Sequence, residues 1–437
     1  MSDFDLLVRG EQDIGVSEGQ FVALGQNLSG SGQSEIDAHD LIIFPGVIDA
    51  HVHFNEPGRT DWEGFATGSR AAAAGGTTTI FDMPLNAHPP TIDGPSFDAK
   101  RTAAEQSSMV DFALWGGLVP GNVNELATLR ERGVVGVKAF MSNSGIEDFG
   151  AVDHVTLRDG MLRAAELDMI VAVHAESEAM TRELTQEAIK AGRTSARDYL
   201  DSRPVAAELE AIQRAIDLAA ETHCKLHIVH VSSAEGVRLV AEARAEGLDV
   251  TCETCPHYLV LTDDDMVTVG ALAKCAPPLR SAREQRELRR SLANVTTIGS
   301  DHSPSPPEMK ERSNFFEVWG GISGCQHLLS LLCGIEEILP QDIVRLTSFG
   351  VAQRFGLKRK GGIEIGKDAD FTIVDPNTRE NITTDSLHYR HKQTPYAGRK
   401  LDARIVHTFL RGQSIFEDGN FPARPFGRFV RPQATSL

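Results

Sequence analysis

The order of apolar runs predicts an α/β protein: a (β/α)8 TIM-type barrel plus a small β-sandwich built from both chain ends. Three observations carry this. From residue 46 onward, short apolar strands alternate with helix-like segments, and that alternation implies a parallel sheet. Eight such units fit within roughly 250 residues, the span of a closed barrel. At either end the pattern changes to short strands punctuated by Gly and Ser, with no helical period. A doubly wound open sheet is the alternative, but the Gly-x-Gly-x-x-Gly turn that would support it is absent.

Taken in order, residues 1–47 supply the first part of the small domain, with strands at Asp5–Val8, Asp13–Val16 and Phe21–Leu24. Residues 48–357 form the barrel. Its strands are expected at Ile48–His53, Thr77–Met83, Val110–Trp115, Val134–Met141, Ile170–His174, Lys225–Val231, Asp249–Cys255 and Thr296–Asp301. Helical spacing is clear over Ala206–Ala220 and Ala234–Ala245, and two more helices are expected within 327–357. Residues 358–437 return to β character and, with a tail, complete the small domain. Their strands are expected at Ile363–Gly366, Asp370–Val374, Arg404–Phe409 and Gly412–Phe416.

The chain has 437 residues, enough for a barrel-sized core and a second unit. Against 43 Lys and Arg stand 61 Asp and Glu, a formal charge of −18. Such acidity argues against nucleic acid and anionic membranes as partners. The start, Met1-Ser2-Asp3-Phe4-Asp5, shows no signal peptide. No apolar run approaches the ~20 residues that span a bilayer. Six scattered cysteines suit free thiols in a reducing compartment, so a cytoplasmic location is expected. Cys252 and Cys255 have CxxC spacing, but they lie in a strand-like run and lack the second pair a zinc site wants.

Barrel enzymes carry their chemistry at the C-terminal ends of the strands. His51 and His53 lie at i and i+2, on one face of the first strand, and form a ready pair of metal ligands. An isolated His-x-His can equally be two hydrogen-bonded polar residues. The fifth strand ends in His174, the sixth in His230 and the eighth in Asp301, which could also cap a turn. Lys138 lies within the apolar fourth strand. A buried ammonium is costly, and burial favours the neutral amine. That amine can take up carbon dioxide to become a carbamate, an anionic oxygen ligand. The alternative is an ion pair with Asp82, Glu176 or Asp301. Six such residues at five strand ends of one barrel point to a two-metal site.

The chain resembles the amidohydrolase superfamily, in its cyclic amidohydrolase branch, and there most closely the allantoinase family. The likeness covers almost the whole chain. It is carried by Pro45-Gly46-Val47-Ile48-Asp49-Ala50-His51-Val52-His53, Glu56-Pro57-Gly58-Arg59, Val137-Lys138-Ala139-Phe140 and His227-Ile228-Val229-His230. Cys252-Glu253-Thr254-Cys255-Pro256-His257-Tyr258, Lys274-Cys275-Ala276-Pro277-Pro278 and Gly299-Ser300-Asp301-His302 also fit. The resemblance implies two divalent metal ions, zinc first and cobalt, iron or manganese as alternatives. His51, His53 and Asp301 would hold one, His174 and His230 the other, with N6-carboxylated Lys138 bridging them. The implied reaction opens the hydantoin ring of allantoin to allantoate, in purine catabolism, through a metal-bridging hydroxide. Asp301 would act as general base, then general acid.

Backbone groups of Cys275 and Gly321, and Ser303, are candidate substrate contacts that could equally be rim turns. Homotetramers are common in the family. Two departures bear on the substrate. Dihydroorotases typically carry Arg where this chain has Asn55, and Arg59 nearby is expected to be structural. Hydantoinases and dihydropyrimidinases usually carry Tyr where this chain has Asn143. Alternative readings are a hydantoinase or dihydropyrimidinase and, from another class, a non-catalytic interaction protein on the same fold, against which the full ligand set argues.

Overall fold

At the N-terminus, alternation of apolar and polar residues makes short paired strands. In a computed structural model, which describes residues 2–433, these are β1 (Phe4–Arg9), β2 (Asp13–Ser17), β3 (Gln20–Gly25) and β4 (Gly32–Asp37). They form one sheet in the order β3-β2-β1-β4. β5 (Ile42–Pro45) crosses to a second sheet and pairs with a strand from the other end of the chain, Phe44 opposite Thr372. Leu6, Val8, Ile14, Val16 and Phe21 pack against Phe371, Ile373 and Phe409 between the two sheets. The Phe371 and Phe409 rings stack with centroids 4.5 Å apart. The small domain is a β-sandwich, as expected.

One residue separates sandwich from barrel. A Cβ at Gly46 would lie 2.1 Å from Thr78 Oγ1, so only glycine passes there. The barrel strands follow: β6 (Val47–Val52), β7 (Thr77–Asp82), β8 (Asp111–Leu114), β9 (Gly116–Gly117), β10 (Val137–Phe140), β11 (Ile170–His174), β12 (Lys225–Ile228), β13 (Val250–Thr254) and β14 (Thr297–Ile298). All the pairings among them are parallel. β8 and β9 are one barrel strand interrupted at Trp115, whose indole donates to the Ala50 carbonyl at 3.0 Å. The ring closes through a parallel bridge between Val52 and His302. Helices pack outside. Val205–Thr222 buries Ala207, Ala211, Ala215 and Ala219 at intervals of four and ends at His223 in a left-handed conformation.

Past the barrel, 327–357 is helical at Leu328–Cys333 and again from Pro340 to Arg354, where a π-turn at Arg345–Phe349 interrupts the α-helix. The sandwich is completed by β15 (Phe371–Asp375), β16 (Arg404–Leu410) and β17 (Gln413–Glu417). The strand expected at Ile363–Gly366 is a turn: Gly361 and Gly366 have φ of 81° and 88°, which breaks the extended run. Not all of 358–437 stays with the sandwich. Arg390 Nε donates to the Glu63 carbonyl at 2.6 Å, and Arg428 N donates to Asp111 at 2.8 Å, so both stretches lie on the barrel. Lys360 joins the two units through Asp111 on β8 and Asp370, each at 2.6 Å. No helix among the described residues is long and apolar enough to cross a membrane.

Candidate metal centre

His51 lies on β6 and His53 one residue past its end, with ring centroids 5.5 Å apart. Parallel pairing of β10 with β11 sets Lys138 beside Ala172 and Phe140 beside His174. Two expected strand ends fall outside the strands. β12 stops at Ile228 and β14 at Ile298. His230 and Asp301 sit in turns beyond them, with φ of 41° and 47°. Such left-handed backbone is uncommon outside glycine and persists where its surroundings impose it. The ladder cannot continue through it, which is why these strands end early.

Asp301 Oδ1 is 3.2 Å from His51 Nε2 and 3.4 Å from His53 Nε2. Ligating atoms of these three residues all lie within 4.8 Å of one another. His174 Nδ1 faces His230 Nε2 at 3.1 Å, and the His51 and His230 rings are 5.5 Å apart. Lys138, 1% exposed, lies with Nζ 5.0 Å from the Phe140 ring, on which His174 stacks at 4.6 Å. The structure thus brings all six sequence-predicted residues to one barrel mouth.

The electrostatics favour a cation. His51 Nδ1 is 2.6 Å from Glu253 Oε1. With the ring proton on that side, the Nε2 lone pair faces a carboxylate oxygen. His174 Nε2 is likewise 2.9 Å from Glu176, which leaves its Nδ1 lone pair toward His230. His230 Nδ1 is buried without a hydrogen-bond partner. Burial pushes His51 down to about 3 and also lowers His53, His174 and His230, so all four are neutral ligands at pH 7. For Asp301 burial pushes upward, but the neighbouring His51 and His53 outweigh it and the carboxyl stays anionic. Neutral imidazoles and an anion with converging lone pairs fit a divalent metal ion. The other close carboxylate group, Asp111, Asp368 and Asp370, already encloses the Lys360 ammonium.

Burial pushes the Lys138 amine down to about 8, against the opposing pull of Asp301 and Glu253. Two of the carboxylates that could have paired with it are spent elsewhere. Asp82 takes Lys100 at 2.6 Å, and Glu176 takes Arg203. The third, Asp301, faces the imidazoles.

Several residues support the cluster in ways absent from the sequence reading, where Glu176 appears only as an alternative partner of Lys138. Glu253 holds His51, and a Cβ at Gly299 would lie 2.7 Å from its carboxylate, so glycine makes room for the pair. Arg203, Glu176 and His174 form a chain, and Arg280 extends it by donating to the Arg203 carbonyl and to Ser232 at 2.9 Å. Ser232 and Ser233, just past His230, are gripped by buried Glu208. Asn86, with φ of 70°, places Nδ2 3.4 Å from both His53 Nδ1 and Ser303 Oγ. Same-face spacing could have found Glu176, two residues after His174. Glu253 lay inside the motif read for its cysteines.

A cleft of about 600 Å³ is lined by Asn143, Arg203, Lys274, Ala276 and Trp319, and Arg203 connects it through Glu176 to His174 of the cluster. Of the three candidate substrate contacts, Cys275 accepts from Tyr199 at its carbonyl and Gly321 uses both backbone groups on Lys274 and Lys310. Ser303 shares its hydroxyl with Asn86. Arg59 is structural as expected, bonding the Asn86 and Ala87 carbonyls and Asp148.

Comparison with known proteins agrees with this architecture. A model of the amidohydrolase family matches residues 42–415. An allantoinase of Rubrobacter xylanophilus is 54% identical, with 99% of each chain covered. One of Solibacter usitatus is 51% identical, over 97% of this chain and 94% of that relative. Among solved structures, the L-hydantoinase (dihydropyrimidinase) of Arthrobacter aurescens superposes with a TM-score of 0.95 at 34% identity, over 98% of this chain and 100% of that one. On this match along nearly its whole length, the chain belongs to the amidohydrolase family.

Proposed function

We propose that the protein hydrolyses a ring amide of allantoin, opening the hydantoin ring to give allantoate. The observation that carries this is the set of six candidate donor residues gathered at one barrel mouth, linked through Glu176 and Arg203 to a cleft. The likeness to two allantoinases over nearly their full lengths supports the substrate. So do Asn55 and Asn143, neutral amides suited to a neutral ureide where related enzymes of other specificity carry Arg and Tyr. Asn55 is buried with Oδ1 free of protein partners. Asn143 lines the cleft.

His51, His53 and Asp301 would hold one divalent ion and His174 and His230 a second. Lys138, as its carbamate, would serve both. Zinc suits the set, and cobalt, iron or manganese would also. When bound, such ions supply Lewis acidity, which acidifies water and polarises a carbonyl. Asp301 takes the proton of the attacking water as the new C–O bond forms at the ring carbonyl. It returns that proton to the ring nitrogen as the C–N bond breaks. One water is consumed and no other reactant is needed. Burial keeps the imidazoles neutral, and Glu253 and Glu176 fix where the ring protons of His51 and His174 sit.

Hydantoin or dihydrouracil hydrolysis is the second reading, favoured by the close superposition on the Arthrobacter aurescens enzyme. Purified protein with its metals should be given allantoin, hydantoin, dihydrouracil and dihydroorotate separately. Allantoin should be turned over with the highest kcat/KM, and a higher value for any other ring would replace the assignment.

Glu176→Gln should weaken metal retention about 10- to 100-fold, the usual cost of losing a hydrogen-bond partner behind a ligand. Its neutral amide no longer anchors Arg203 or orients His174. Metal content after timed exposure to a chelator reads this directly. Retention equal to that of the unsubstituted protein would remove Glu176 from the site's support.

A further inference from the structure

A lysine ammonium has three donors and no acceptor, so burying it demands carbonyls or carboxylates around it. Two lysines that the chemistry above does not use meet this demand in the same way. Lys274 Nζ donates to the carbonyls of Phe315, Phe316 and Val318 at 2.7, 3.3 and 2.6 Å. Lys310 Nζ donates to those of Ala271, Trp319 and Gly321 at 3.1, 2.8 and 2.7 Å. Five of the six acceptors lie within residues 315–321. That stretch is irregular apart from one 3-10 turn at Phe315–Glu317. It belongs to the long loop that leaves the barrel at Asp301 and returns at Ile322, where His302 and Ile322 form a parallel bridge.

The same loop walls the cleft. Phe316, Val318, Trp319 and Gly320 line it from the loop, and Lys274, outside the loop, lines it as well. Lys274 is also wired to the neighbouring turn. Gly321 N donates to the Lys274 carbonyl at 2.8 Å, and Lys274 Nζ sits 4.5 Å from the Tyr199 ring, whose hydroxyl bonds the Cys275 carbonyl. An irregular loop of this length should fluctuate unless its backbone groups are bonded. Two three-point ammonium anchors supply those bonds, Lys274 from outside the loop and Lys310 from within it to Ala271 outside and to Trp319 and Gly321, so the wall is formed before any ligand arrives.

We infer that Lys274 and Lys310 are positioning residues for substrate, holding the 303–321 loop as a pre-formed wall of the cleft. This deepens the proposed reading, since it takes the cleft as the place where the cyclic amide binds. Pre-ordering a wall lowers the entropy cost of binding. Loss of either anchor should therefore appear in KM while kcat, set by residues on other strands, changes little.

The test uses Lys310→Met, which keeps the stem and removes the donors, and Lys274→Met as an independent second variant. Lys310 is the more exposed of the two, so its replacement is the better tolerated fold. Three readouts are taken: KM and kcat for allantoin, metal content per chain, and backbone hydrogen exchange resolved over 311–321. The expected result is faster exchange confined to that stretch, unchanged metal content, and KM raised about tenfold with kcat within about twofold, the scale of one charge-assisted hydrogen bond lost. Faster exchange with unchanged KM would overturn the inference, as would unchanged exchange. If the substrate assignment itself is wrong, the unsubstituted protein fails on allantoin, whereas the exchange and metal readouts need no substrate. The two failures are therefore distinguishable.

Discussion

Lys138→Ala should abolish turnover and strip metal from the protein while leaving the barrel folded. The side chain is fully buried on β10, between the two histidine sets, where an unmodified ammonium would push divalent cations away. Burial already brings its amine to about 8, so a usable fraction is neutral and able to take up carbon dioxide near neutral pH. On the proposed reading, alanine removes the group that would serve both ions. Losing several kcal/mol of charge stabilisation corresponds to a rate loss on the order of 10³-fold or more. Metal analysis and hydrolysis assays on the same preparation check this. A recovery of both metal and activity on adding a short-chain carboxylic acid would show that the missing group is a carboxylate rather than an ammonium. Near-normal metal content in the alanine variant would contradict the role given to Lys138.

Asp301→Asn should lose turnover far more than it loses substrate. The carboxylate is held anionic by His51 and His53 against the effect of its own burial. It is therefore unprotonated at neutral pH and able to accept a proton, within the cluster it helps to form. Asparagine keeps the shape and an oxygen but cannot take up and return a proton. The left-handed backbone at this position, φ 47°, is one that Asn tolerates well, so the fold is preserved. General acid–base catalysis is typically worth 10²- to 10⁴-fold. A fall in kcat of about that size, with KM changed much less, is expected from steady-state kinetics. A kcat within about tenfold of the original would move the proton-transfer role to another residue.

Glu176 and Arg203 show why part of the site escapes a linear reading. His174 and Glu176 are two apart, but Arg203 joins them only because it sits just before the helix Val205–Thr222, where its guanidinium reaches Glu176 past the end of β11. Lys274 and Lys310 escape for a similar reason. Their partners are backbone carbonyls, which leave no signature in side-chain identity.

By itself the sequence determined the alternation that makes a barrel, the β character of both ends, and the six donor residues at the mouth. Period, burial preference and metal-ligand chemistry are properties of residue type and spacing, so they can be read before folding. Only the tertiary structure decided which carboxylate each cation takes, why β12 and β14 stop short of His230 and Asp301, and that Ile363–Gly366 turns rather than pairs. It also decided that parts of the C-terminal segment leave the sandwich to lie on the barrel, with Arg390 on Glu63 and Arg428 on Asp111. These outcomes depend on competition among partners distant in sequence, and on backbone angles set by packing.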